Sequence, residues 1–136
     1  MSQENVDLVR RMTEVANITP ADASLFEPLL APDYRIENTV TAVTDRTYYG
    51  AAGCVEWLSD MSDAFAAGAR YEIETILAEG DDFVVTRMAF VGKGARSGAP
   101  LRLRWITVSW LHDGKVARSA GYAHRGEALK AVGLEE

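Results

Sequence analysis

The sequence has 136 residues, with 14 Lys and Arg against 20 Asp and Glu, two His and one Cys. That length fits a single domain with a sizeable core, and 48% apolar with 25% charged residues is a globular rather than a disordered composition. The net charge of −6 argues against nucleic acid, whose phosphates require an excess of Lys and Arg. No run approaches the about 18 apolar residues of a membrane span. The opening Met1-Ser2-Gln3-Glu4-Asn5 lacks the basic segment and apolar core of a secretion signal, so the expected compartment is the cytoplasm. Cys54 is the lone cysteine, which excludes an internal disulfide and a cysteine-rich metal site.

Residues 2–16 read as a helix: Ser2 is placed to cap it, and Leu8, Val9, Met12, Val15 and Ala16 share a face. Thr19-Pro20-Ala21-Asp22 reads as a second helix start, with a Thr cap and Pro at the first helical position. Ala23, Phe26, Leu29 and Leu30 give its apolar face, and Pro32 stops it. Weak alternation predicts a short strand over 33–40, followed by a polar loop over 41–49. Over 50–67, Cys54, Trp57, Leu58, Met61 and Phe65 recur at helical spacing, with Gly68 placed to end the helix.

Three β segments follow, over 70–77, 82–91 and 101–111. Glu79-Gly80-Asp81-Asp82 is the first turn between them and residues 92–100 a longer one. His112-Asp113-Gly114-Lys115 is a hairpin turn, because Asp-Gly accepts positive φ. A last strand over 116–123 and a short helix over 126–132 ending at Gly133 complete the order α-α-β-α-β-β-β-β-α. This is an α+β pattern with a mainly antiparallel sheet. In the segment 101–111 both faces are apolar: Leu101, Leu103, Trp105, Thr107, Ser109 and Leu111 lie on one, Arg102, Arg104, Ile106, Val108 and Trp110 on the other. A sheet with one wet face would not place Ile106, Val108 and Trp110 on it, so the expectation is a homodimer through that face.

The element order, three helices and a short strand followed by a four-stranded antiparallel meander, resembles the nuclear-transport-factor-two-like superfamily. Several stretches are similar to its SnoaL-like (polyketide cyclase-like) members in particular. They are Ser2-Gln3-Glu4-Asn5-Val6, Leu29-Leu30-Ala31-Pro32-Asp33, Tyr49-Gly50, Asp113-Gly114-Lys115-Val116, and the ending with Glu127-Ala128-Leu129 and Gly133-Leu134. The resemblance implies a cone-shaped curved sheet, a cystatin-like barrel with helices on the concave face, an apolar pocket between them, and commonly a dimer. It does not fix a function, since one fold hosts isomerases, hydrolases, dehydratases, cyclases and plain binders.

Site residues therefore have to be weighed one by one. A ketosteroid isomerase needs a carboxylate base on the first strand, where the resemblance places Asn38, an amide without useful basicity. The oxyanion-binding Asp falls near Thr107. Against limonene epoxide hydrolases, Asn38 matches the first-strand Asn and Arg87 the Arg of an Arg-x-Asp pair, but both catalytic Asp positions hold Ala89 and Gly121. Without those carboxylates nothing activates water.

Arg87, inside the apolar run Phe83-Val84-Val85-Thr86-Arg87-Met88-Ala89-Phe90-Val91, is the expected polar anchor for an anionic or carbonyl-bearing ligand, because a buried guanidinium needs a partner. Trp105, Thr107 and Ser109 on one strand face, Trp57 and Met61 on one helix face, and Tyr122 complete the expected substrate-binding set. His112 lies in a turn, His124 follows the last strand, and Glu37 alternates away from Asn38. Cys54 reads as a buried small residue, and no cluster implies a metal or cofactor. The functional expectation is binding of a small, mostly apolar organic molecule, with cofactor-free cyclase or isomerase chemistry as its catalytic form. The alternative is a non-catalytic dimeric binding or protein-interaction module, with no catalytic residue assigned.

Overall fold

The structure, a computed structural model, describes residues 2–38, 46–63 and 65–134. Helix α1 (Ser2–Ala16) and the short α2 (Ala23–Phe26), continued by a 3-10 turn (Glu27–Leu29), lead into β1 (Leu30–Asn38). Strand β2 (Thr47–Tyr49) and helix α3 (Gly50–Ser62) follow. The meander consists of β3 (Arg70–Glu79), β4 (Phe83–Lys93), β5 (Pro100–His112) and β6 (Lys115–Tyr122), and α4 (Arg125–Ala131) closes the chain. Among the described residues six strands form one open sheet in the order β2-β1-β6-β5-β4-β3. Every pairing is antiparallel except β1 with β6. This is the expected α+β architecture, although the sheet does not close into a barrel.

Local chemistry explains the joints. At the β5–β6 hairpin Asp113 and Gly114 have φ of 51° and 74°, the double left-handed conformation that a tight two-residue turn requires. Helix α4 ends in a Schellman motif: the amides of Gly133 and Leu134 donate to the carbonyls of Lys130 and Leu129, with Gly133 at φ 80°. Pro32 does not stop a helix but sits inside β1, in the irregular stretch between the Leu30 and Arg35 pairings, where no ladder amide is needed.

Three further expectations are corrected. The cap of the second helix is Asp22, whose carboxylate accepts from the Ser24 amide at 2.9 Å, so the helix starts after Thr19-Pro20 rather than on it. Residues 47–49, expected in a loop, pair with β1 as β2. Helix α3 stops at Ser62 instead of continuing to 67, because the chain beyond it pairs with the edge of β4: Phe65 bridges Gly94 and the Ala66 amide donates to Lys93 O at 2.7 Å. Phe65 then lies 4.4 Å from the Phe90 ring, so its helical spacing reported burial and not helix. The cap expected of Ser2, the strand end at Val40 and the loop over 41–45 lie outside the described residues or side chains.

The second apolar face is packed from within the chain. Alternation along β5 is as expected, but the face bearing Ile106, Val108 and Trp110 is covered by the chain's own last helix. Ala128 and Leu129 of α4 pack there with Val85, Ile106 and Val108, and Ile106 and Val108 are only 5% and 0% exposed. Half-buried Trp110 lies beneath the Arg118 guanidinium, 4.0 Å from its ring centre. Ile106 and Val108 are thus covered by α4 within a single copy of the chain. The large core lies on the opposite, concave face, where α1, α2 and α3 pack.

Because α4 seals that face, Leu129→Ala is expected to cost about 2–4 kcal/mol of unfolding free energy, read by urea denaturation. A loss below about 1 kcal/mol would show that the helix is not an integral cover.

Candidate functional site

Between the concave face and the helices lies a mostly apolar cavity of about 160 Å³. An apolar protein cavity of about 150 Å³ is enough to take up benzene, so this one accommodates a molecule of one or two rings. Helix α1 contributes Val9, Met12, Thr13 and Ala16, and α3 contributes Cys54, Trp57, Leu58 and Met61. The sheet contributes Tyr34 and Ile36 from β1, Tyr71 from β3, Thr86 and Met88 from β4, then Leu103, Trp105, Thr107 and Ser109 from β5, with Ser119 and Gly121 from β6.

One wall is a packed aromatic group. Tyr71 stacks on Phe90 at 4.2 Å with 17° between planes, Trp57 lies 5.4 Å from Tyr71, and Trp105 stands edge-on to both at 6.2 Å. Tyr71 is also fixed through its backbone. The Asn17 amide side chain accepts from Tyr71 N at 2.7 Å and donates to Tyr71 O at 2.9 Å, which pins the start of β3 to the end of α1.

The polar groups in the wall are hydroxyls and one thiol. Tyr34 and Ser119 share a hydrogen bond of 2.8 Å, and the Cys54 thiol lines the same part of the cavity. Trp105 Nε1 donates to Thr107 Oγ1 at 2.8 Å, and Thr86 Oγ1 donates to the Thr107 carbonyl at 3.4 Å. Among the described residues, the Tyr71 hydroxyl is buried without a hydrogen-bond partner. Glu37 and Arg104 border the cavity, but their charges are engaged on the other side of the sheet. Glu37 pairs with Arg118 and with Arg35, the latter at 3.8 Å, while Arg104 Nε meets Glu74 at 3.0 Å. No group of three or more His, Cys, Asp or Glu side chains suited to a metal occurs among the described residues.

Of the residues expected from sequence, Trp57, Met61, Trp105, Thr107 and Ser109 are brought together in the cavity wall. Arg87 is not. Its neighbours Thr86 and Met88 face the cavity, so alternation turns Arg87 to the convex face, across from Ile106 of β5 and Thr75 of β3. It cannot anchor a ligand in this cavity. Ala89 shares that outward parity, so the Arg-x-Asp comparison lands on the wrong face of the strand altogether. Tyr122 is likewise outward, paired with Ile106 and packed in the α4-covered cluster, while its neighbour Gly121 faces inward opposite Thr107. Asn38 ends β1 opposite Gly121, and its side chain lies outside the described residues. His112 and His124 are exposed.

Sequence reasoning missed Tyr34, Tyr71, Ser119, Thr86 and Met88. The signal for Tyr34 was present, since alternation along 33–40 puts it on a face with Ile36. Tyr71 had none, because its role comes from the register of β3 on β4.

Burial holds the protons of this wall in place. It pushes the Cys54 thiol up to about 12, partly offset by the Tyr34 hydroxyl, and raises the phenols of Tyr34 and Tyr71 above their ordinary value. The native state therefore keeps a thiol proton that the unfolded chain releases from about pH 9 upward. Stability from this source is complete below the unfolded value and is lost as pH rises towards the folded one. The urea midpoint is expected to hold up to about pH 9 and fall above it, and Cys54→Ala should delay the onset of that fall. An unchanged onset in the variant would assign the alkaline loss to other groups.

No helix among the described residues is long and apolar enough to cross a membrane. No curated protein matches the chain. Solved structures do. A candidate SnoaL-like polyketide cyclase from Jannaschia superposes with a TM-score of 0.70 at 17% identity, over 89% of this chain and 85% of that one. IdmH, a candidate polyketide cyclase from Streptomyces antibioticus, gives 0.68 at 20% identity, over 95% and 98%. A hypothetical protein of ketosteroid isomerase-like fold from Catenulispora acidiphila, solved with trimethylamine, gives 0.68 at 16%, over 94% and 93%. At such identities the likeness is one of fold. The sequence profile of the SnoaL-like domain matches residues 9–119, and the chain belongs to that family.

Proposed function

We propose that this protein binds a small, mostly apolar organic molecule in the cavity between its helices and sheet. The observation that carries the reading is the cavity itself: about 160 Å³ of space walled by Met, Leu, Ile and aromatic side chains, with hydroxyls as its polar groups. A filled interior, as in a purely structural or protein-docking module, would lack it. Membership of the SnoaL-like family supports the same reading, and a similar fold from Catenulispora acidiphila was solved in complex with the small molecule trimethylamine.

Turnover ranks second. Cyclase or isomerase chemistry without a cofactor needs a group that exchanges protons near neutral pH. The described cavity-wall groups with raised proton affinity, Cys54, Tyr34 and Tyr71, hold their protons near neutral pH. This favours binding and orientation of a ligand over acid–base work by these residues.

The test is thermal unfolding against a panel of monocyclic and bicyclic terpenoids, epoxides and aromatic ketones, with steroids as oversized controls. A ligand at 100 times its dissociation constant adds roughly 2.7 kcal/mol, a Tm rise of several degrees for a domain of this size. Ala16→Phe, which adds a ring at a half-buried cavity-lining position of α1, should remove the rise while the fold persists. No shift with any small apolar compound would count against the binding function.

A further inference from the structure

We infer that the cavity selects an uncharged molecule of one or two rings by an acceptor oxygen, a carbonyl, ether or epoxide, and that the hydroxyls of Thr107 and Tyr71, flanking Trp105, are its donors. This rests on the binding function proposed above and gives it a chemical class.

Thr107 lies on the inward face of a central strand, between β4 and β6. Neighbouring strands flank it, so its remaining half-exposure opens onto the cavity it lines. Its oxygen already accepts from Trp105 Nε1, which fixes the side chain and leaves the hydroxyl proton to donate elsewhere. No acceptor for that proton occurs among the described residues. Gly121, directly across on β6, has no side chain to fill the space beside it. Tyr71 is the second donor. Its hydroxyl is buried and unpaired in a residue only 5% exposed, and the ring is held by stacking on Phe90 and by the Asn17 clamp on its backbone. A buried hydroxyl without a partner is unfavourable and is retained where something else uses it. Tyr71 stands edge-on to Trp105, the ring whose indole nitrogen bonds Thr107.

Charge sets the class. Glu37 and Arg104 are occupied by Arg118 and Glu74 on the opposite face, so neither offers a counter-charge inside. An ionised ligand would leave water without meeting a free opposite charge among the described residues. An uncharged acceptor meets two waiting donors instead.

The test uses a matched trio of one shape, indane, 1-indanone and indane-1-carboxylate, titrated into the intact protein by calorimetry. The ketone is expected to bind roughly three- to tenfold tighter than the hydrocarbon, as one or two neutral hydrogen bonds allow. The carboxylate is expected to bind more weakly than either. Tyr71→Phe should reduce the ketone-over-hydrocarbon ratio. Thr107→Val should reduce it too, and Thr107→Ser, which keeps both the donor and the acceptor for Trp105, should restore it. Should Thr107→Val fail to fold, Tyr71→Phe and Thr107→Ser still decide the question. If indane binds and the wild-type protein shows no preference for the ketone, or if Tyr71→Phe and Thr107→Val both keep it, the assignment of donors is overturned and the binding function stands. A carboxylate that binds as tightly as the ketone overturns the charge selection. If neither indane nor indanone binds, both readings fall together.

Discussion

Eleven residue pairs lock β4 against β5 in unbroken antiparallel register, and that register decides which side chains meet the cavity. Along β4 the even positions Val84, Thr86, Met88 and Phe90 face inward, and along β5 the odd positions from Leu103 to Leu111 do so. A shift by one residue would exchange Thr107 and Trp105 for Ile106 and Arg104, and would turn Arg87 into an apolar interior. Because both faces of these strands are buried, one by α1 and α3 and the other by α4, neither choice of face is free. The bulges of the sheet lie elsewhere, in the β1–β6, β3–β4 and β5–β6 pairings, so curvature is accommodated without disturbing this central pair.

The cavity is the consequence of helices held away from a curved sheet by large rings. Trp57, Tyr71, Phe90 and Trp105 fill one side densely, while the opposite side presents Ser109, Ser119 and Gly121, which are small. Empty volume persists where small residues face large ones that cannot relax inward, and here the large ones are fixed: Tyr71 by Asn17, Trp105 by Thr107, Tyr34 by Ser119. Each restraint is a hydrogen bond made beside an apolar surface, where leaving its donor unpaired would be costly. The same bonds that keep the cavity open also orient its polar groups.

Much of this was legible in the residues, for identifiable reasons. Alternation over 101–111 separated the two faces of β5, and Asp113-Gly114 announced its hairpin, because both signals are local. The order of elements pointed to the superfamily, and stretches such as Leu29-Leu30-Ala31-Pro32-Asp33 to its SnoaL-like members. What stayed hidden depends on partners distant in sequence. Phe65 carries helical spacing from Cys54 yet belongs to a bridge with Gly94. The cover of Ile106 and Val108 is another case, since a helix as short as α4 gives little hint that it will fold back over them. Arg87 looked like an anchor because a cation in an apolar run demands a role, and only the parity of β4 shows that its neighbours, not it, line the cavity. The unpaired hydroxyl of Tyr71 has no sequence signature at all.

Removing ionisable groups from such a cavity changes what it can discriminate. In a site with a carboxylate or guanidinium, ligand charge dominates recognition, and small differences in ring size or substitution are secondary. Here recognition has to come from shape and from hydrogen bonds between neutral partners. Each neutral bond contributes little in water but more where water is excluded, and the apolar wall supplies that exclusion. Discrimination is then sharpest against molecules that strand a hydroxyl without a partner, and weakest between isosteres differing by a methylene, for which an apolar wall distinguishes only roughly 10- to 200-fold. The ordering expected of this cavity is charge first, acceptor second and apolar shape last. The arrangement of Tyr71, Trp105 and Thr107 produces it without an unpaired charge on the cavity wall among the described residues.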